Sequence, residues 1–156
     1  MSITWPGTIT GAAQTGFTTP AYVATADTAP AGNPGKQVAI TGITGTQAGV
    51  TLHSVSSPFT MNFYRPSNLR VLGSPNPVTG VITQVPTNTY GLIGRKGVTT
   101  LTGQPIKVSL FRATWDVPAG SDTADAPNLR ALASCAIGSL WGQSAGFGDL
   151  AISGVL

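Results

Sequence analysis

The chain has no glutamate, one cysteine and one histidine in 156 residues, and charged residues make up only 8% of it. A lone cysteine, Cys135, excludes an intrachain disulfide framework, and one cysteine with one histidine offers no ligand spacing for a metal site. Acid–base catalysis near neutral pH requires histidine or a carboxylate pair with separated pKa values. The nearest cooperating carboxylates, Asp122 and Asp125, stand where helix capping accounts for them. No enzyme, metal or cofactor is therefore expected. Long apolar runs are missing too, since nowhere does the chain approach the roughly 18 uninterrupted apolar residues of a membrane span. The start, MSITWPGTIT, has neither the basic nor the apolar region of a secretory signal, so the expected location is the cytoplasm of the producing cell.

The shortage of charge carries a further implication. Globular domains usually devote roughly 25% of their residues to charge. With 41% hydrophobic residues against 8% charged, an isolated subunit would be short of solubilising surface, and subunits are expected to cover one another. Eight Lys and Arg against five Asp give a net charge of +3, which suits a polyanionic partner without demanding one. The length fits a single domain, residues 1–156.

What is present is organised around residues Gln104–Leu156. In QPIKVSLFRATWDVP, Ile106, Val108 and Leu110 alternate with Lys107, Ser109 and Phe111, the period of a strand with two unlike faces, the first set facing the core. After Pro118-Ala119-Gly120, the residues Leu129, Leu132, Ala133, Ala136, Ile137, Leu140 and Trp141 follow helical spacing. Asp125 suits the N-cap, Pro127 the first turn and Gly142 the stop. The opposite side of this helix carries Asn128, Ala131, Ser134, Cys135, Gly138 and Ser139, with Arg130 its only charge. Small uncharged residues there suit a helix covered on more than one side; a solvated helix poor in charge is the alternative.

Earlier in the chain, short strands are expected around Thr8–Thr10 and Pro20–Ala24 as an N-terminal hairpin region (1–35), closed by the turn formers Ala29-Pro30-Ala31-Gly32-Asn33-Pro34-Gly35. KQVAITGIT (36–44) and VTLHSVSS (50–57) read as neighbouring strands. FTMNFYRP (59–66) sets Phe59, Met61 and Phe63 against Thr60, Asn62 and Tyr64, and ends at Pro66. Two strand-like runs split by Ser74-Pro75-Asn76-Pro77 mark a surface excursion, and NTYGLIGRKGVTTLTGQ gives a strand around the adjacent cations Arg95 and Lys96. No solenoid repeat is present. The fold class is thus α+β: an antiparallel sheet of about five to seven strands over residues 36–118 with its hairpin, followed by a helical region, 122–156.

Two motif matches carry little. Gly142-Gln143-Ser144-Ala145-Gly146 fits the nucleophile elbow, but that turn must lead from strand to helix with its histidine later in the chain, and His53 comes earlier. Gly94-Arg95-Lys96-Gly97 fits a GxxG loop, which needs a helix on each side.

The run from Val108 to Leu156 resembles the C-terminal third of the coat proteins of single-stranded RNA bacteriophages (the levivirus group), and NTYGLIGRKGVTTLTGQ resembles the strand and loop before it. The features concerned are V-P-A-G-S-D ending a strand, the D-x-P-N-L-R-A-L helix and the closing S-A-G-x-G-D-x-x-x-x-G-x-L; residues 1–85 match in general character alone. The resemblance implies a curved sheet and two C-terminal helices that interlock with those of a twofold partner. It implies a homodimer that assembles into an icosahedral shell around a single-stranded RNA genome, made in the bacterial host cytoplasm and ending in the virion. It also implies an inward sheet surface that in several members binds an RNA hairpin and represses replicase translation. Under that reading the helical stripe is the dimer interface, and the polar strand faces, Thr51 with His53, Asn62 with Tyr64, and Lys107 with Ser109, form the RNA surface. Lys107, Arg95 and Lys96 would neutralise phosphates, Tyr64 and His53 would stack on bases, and Asn62, Thr51 and Ser109 would bond base edges. Arg95 and Lys96 have a second assignment, as an assembly loop. A self-associating β-rich surface or adhesion module without RNA binding is the alternative from another class, and an RNA-binding module that forms no shell is a third.

Overall fold

A computed structural model describes residues 2–156; Met1, the first residue of the expected hairpin region, lies outside them. Six strands, β1 (Thr8–Thr10), β2 (Ala21–Asp27), β3 (Gly35–Ile43), β4 (Phe59–Tyr64), β5 (Thr87–Val98) and β6 (Lys107–Pro118), form one sheet in chain order. Every neighbouring pair is antiparallel. The N-terminal hairpin is thus the sheet's own margin, joined to β3 with a register shift between Val23 and Ala24. Three helices follow: a single turn, α1 (Ser121–Ala124), then α2 (Ala126–Gly142) and α3 (Ser144–Ser153). The α+β architecture is the one expected.

The helix boundaries follow from the residues that predicted them. Asp125 is the N-cap of α2, with Pro in the first turn, where a missing N–H costs nothing. The Asp125 carboxylate accepts from the Asn128 side-chain amide at 3.0 and 2.8 Å rather than from a backbone N–H. Gly142 is the last residue of α2, as its position predicted. Gly120, with φ 86°, turns the chain from β6 into α1, a conformation open to glycine at little cost.

One expected strand is absent. Residues 50–57 run as a loop between β3 and β4, and β4 itself is the neighbour of β3. Serine side chains account for this, because they compete for backbone partners: the Ser54 hydroxyl accepts the Ser57 N–H at 3.1 Å while Ser54 N–H bonds Ser57 O. The two runs between 68 and 85 also form no strand. Around Pro75 and Pro77 the Asn76 side chain accepts from Val78 and Thr79 N–H and builds a turn, so the expected surface excursion is what remains.

Cross-strand partners project to the same face, which separates a mainly apolar side of the sheet from a mainly polar one. One face carries Val38, Phe59, Met61, Phe63, Leu92, Phe111 and Trp115; the other carries Gln37, Thr60, Asn62, Tyr64, Arg95 and Thr114. On the apolar face Trp5 lies against Phe63 with ring centroids 4.8 Å apart, and its indole N–H donates to Lys36 O at 2.9 Å. Tyr22 meets Phe59 edge-on, and Phe147 of α3 meets Phe111 edge-on at 6.2 Å. The buried apolar core is small: Val38, Ala39, Ile40, Val117 and Ala119.

In β6 the faces are the reverse of the expectation. Phe111, Ala113, Trp115 and Val117 share the apolar face with β4 and β5, which puts Val108, Leu110 and Arg112 on the polar side. The larger apolar series lies at the odd positions later in the strand, and it sets the register for the whole element. Lys107 and Ser109 are carried with it to the apolar side.

Candidate functional site

The polar face is built in rows across the strands. One row runs Asp27, Gln37, Asn62, Ile93, Arg112 from β2 to β6, and the next runs Thr25, Ala39, Thr60, Arg95, Leu110. Contacts among these side chains stay within the sheet. Gln37 Nε2 donates to the Asp27 carboxylate at 2.7 Å and to Thr28 O at 3.1 Å, and Thr25 and Thr41 share a hydroxyl bond of 2.8 Å. The Gln37 bond, and after it the Thr28 N–H, hold the Asp27 carboxyl below its ordinary range. Thr89 donates its hydroxyl to Asp116.

Among the described residues, two acceptors on this face have no partner. Asn62 is 5% exposed, and its Oδ1 is unpaired, as is Gln37 Oε1 one strand away. Buried acceptors of this kind are ordinarily satisfied; both oxygens here are shut off from solvent and lie beneath the surface of the face. Beside them the Tyr64 ring lies across the β5 backbone. A side chain at Gly91 would collide with the Tyr64 ring and with Ala113 O, so glycine is what allows the ring to lie there. The residues directly opposite Arg95 are Thr60 and Leu110, and opposite Arg112 is Ile93, so neither guanidinium faces an acidic cross-strand partner. Guanidinium groups and a flat ring on one surface can bind phosphates and unstacked bases respectively.

Of the residues singled out in the sequence, Asn62, Tyr64 and Arg95 come together here. Lys107 and Ser109 do not: they pair with Val98 and Lys96 on the opposite face, because the odd-numbered apolar series of β6 fixes that parity. Arg95 and Lys96 lie within β5 rather than in a loop, and as consecutive strand residues they point to opposite faces. Lys96 is committed internally. Its ammonium donates to Thr51 O and Oγ1, both at 2.7 Å, and sits 4.8 Å from the centre of the Phe59 ring; partial burial pulls its pKa down. Thr51 is thereby its anchor. His53 Nδ1 accepts the Phe59 N–H at 3.0 Å and the His53 backbone N–H donates to Ile40 O, so Thr51 and His53, both from the expected 50–57 strand, serve to fasten a loop. Arg112 was missed by sequence reasoning. The signal for it was the Phe111–Val117 alternation, which places every even residue of β6 on the polar side.

A second surface is defined by what the helices leave uncovered. No residue of α1, α2 or α3 is buried. Leu129 and Ala133 are half-covered, whereas Leu132, Ala136, Ile137, Leu140 and Trp141 stand exposed, Ile137 at 66% and Trp141 at 58%. Cys135 is exposed beside them. α3 is held to the β1–β2 connection by Gln14 with Ser144 and by the Thr15 hydroxyl on the Asp149 carboxylate at 2.8 Å. Ser144 therefore begins a helix directly after another helix, which is not the setting of a nucleophile elbow. The sheet adds a third feature. Its β1 edge is 3 residues long, but the β6 edge runs 12 residues, roughly 40 Å, with one side unpaired. Proteins rarely leave such an edge open.

Among the described residues no group of three or more His, Cys, Asp or Glu side chains is placed to hold a metal ion, and no helix is long and apolar enough to cross a membrane. No protein-family model and no curated protein matches the sequence. Among solved structures, the chain of a virus-like particle of bacteriophage ESE020 is 53% identical, with a TM-score of 0.95, over 99% of this chain and 100% of that one.

Proposed function

This chain belongs to the bacteriophage coat proteins, and from that premise we propose that two copies form a twofold dimer whose repeats close into an icosahedral shell around single-stranded RNA. The observation that carries the dimer is the set of C-terminal helices with no buried residue and an apolar stripe in solvent. A twofold axis beside β6 brings that strand against its own copy in antiparallel sense, extends the sheet across both chains, and lets the helices of each subunit cover the apolar face of the other. The Leu129–Trp141 stripe is then the interlocking interface. At roughly 25 cal/mol per Å² of apolar surface removed from water, covering this many exposed large side chains is a strong drive to associate.

The polar face then looks inward. Arg95 and Arg112 meet phosphates and Tyr64 stacks on an unpaired base, while Asn62, buried within the face, supports it from below. Thr51, His53, Lys96, Lys107 and Ser109 drop out of this set on geometry. An RNA hairpin held on the face is the route by which replicase translation would be repressed. Recombinant protein purified and viewed by electron microscopy is expected to give closed particles of uniform size containing nuclease-protected RNA. Fibres would favour an adhesion module instead, and small soluble species would leave an RNA-binding protein without a shell.

A further inference from the structure

The β4–β5 connection, residues 65–86, is ordered by specific bonds yet exposes its apolar side chains. Its base is fixed by Arg65 N–H on Pro34 O at 3.0 Å and by the Ser67 hydroxyl, within reach of Gly32 O and Asn33 Oδ1. Its middle is clamped by Asn88, buried in β5, whose side chain accepts the Arg70 N–H at 2.8 Å and donates to Arg70 O at 2.9 Å. Leu72 then packs on Gly120 at the end of the sheet, close enough that a side chain there would touch it. The tip is a turn closed by Gly80 N–H on Asn76 O at 2.8 Å and Asn76 N–H on Val81 O at 3.1 Å.

Despite this scaffold, Val71 is 80% and Val78 92% exposed, with Leu69, Val81 and Val85 also in solvent. From Val71 to Pro86 the chain has no charged residue. Water-facing connections ordinarily carry polar side chains and mobility, whereas an apolar segment held in one shape is pre-organised to be buried by something else. Its lack of charge allows it to meet another uncharged surface without like-charge repulsion, and what the shell supplies in quantity is further copies of this chain.

We infer that the 71–85 segment is a contact between neighbouring dimers, its Val78–Val81 tip seated on a second copy of the chain, separate from the helix and β6 surfaces that make the dimer. This rests on the shell reading, and its test can fail independently of it. Val78→Lys is the sharpest variant: at 92% exposure the side chain does not support the subunit's own fold, so the charge acts where another copy arrives. Val78→Ser with Val81→Ser is the milder companion. Light scattering and electron microscopy beside wild type should show dimers at the normal size and at least a tenfold fall in closed particles for Val78→Lys, with a smaller fall for the double serine variant. Particles at wild-type yield from both variants would overturn the inference and leave the shell intact, as would loss of the dimer itself. Failure of the wild-type chain to form particles would instead overturn the shell reading beneath it.

Discussion

From β2 to β4, apolar side chains find cover inside the chain: Trp5 on Phe63, Tyr22 on Phe59, and Val38 and Ile40 fully enclosed. Along α2 and α3 the same kinds of side chain find little: Phe147 reaches Phe111 and Leu129 is half-covered, but Ile137, Trp141 and Ile152 stand in solvent. Both regions follow one rule, that apolar area leaves water where it can, but they satisfy it at different levels of organisation. Under the proposed dimer, the interior of the sheet is specified by contacts a single chain makes, whereas the helices and the β6 edge are completed by a second chain. A substitution should therefore report through different measurements according to the region it strikes.

The comparison breaks most visibly with Ile137→Asp. If the helix is buried between subunits, an uncompensated carboxylate there costs about 3 kcal/mol or more, a loss of at least about 100-fold in dimer affinity, read by sedimentation on dilution. Trp141→Ala comes next. Truncating a tryptophan enclosed by a partner costs roughly 3–5 kcal/mol, whereas at a solvent-exposed position the effect stays within about 0.5 kcal/mol, so the dimer dissociation constant separates the two.

The sheet should answer differently. Gly91→Ala forces a methyl against Ala113 O and the Tyr64 ring, an overpacking cost of roughly 1–3 kcal/mol, seen as a fall of several degrees in melting temperature with the affinity between subunits unchanged. Arg112→Gln on the polar face should leave stability and assembly alone while lowering the salt dependence of RNA binding by about one unit of log–log slope. An unaltered slope would remove Arg112 from the RNA surface.

The smallest effect expected is at Asp27. Its carboxyl, depressed by Gln37 and by the Thr28 N–H, contributes stability that is present above the ordinary value of 3.8 and lost as pH falls through the lower folded value. The side chain is exposed, which keeps the contribution small. Asp27→Asn should slightly flatten the acid limb of a plot of melting temperature against pH, and a steeper limb would contradict the assignment.

Much of this was legible in the residues. Pro127 and Gly142 bracketed α2, and Phe59, Met61 and Phe63 against Thr60, Asn62 and Tyr64 fixed the two faces of β4, because each signal is local and unopposed. The faces of β6 were not legible from its first half, where Val108 and Leu110 compete with Phe111; the decision came from Trp115 and Val117 farther on and from pairing with β5. That one parity took Lys107 and Ser109 off the polar face and brought Arg112 onto it. The 50–57 loop was misread because β-branched residues and serines there suit a strand, while Ser54 closes a turn on its own backbone. Strand pairing decided the first case and a local side-chain turn the second.

The claim beneath all of this is that the C-terminal helices belong to a two-chain core. Sedimentation equilibrium of the wild-type protein, and of the Val78→Lys variant in which assembly is expected to be blocked, measures it directly. The account predicts a species of twice the 15.8 kDa chain mass down to low concentration, dissociating only as the fold is lost. A folded, soluble species of a single chain's mass, stable on its own, would contradict it.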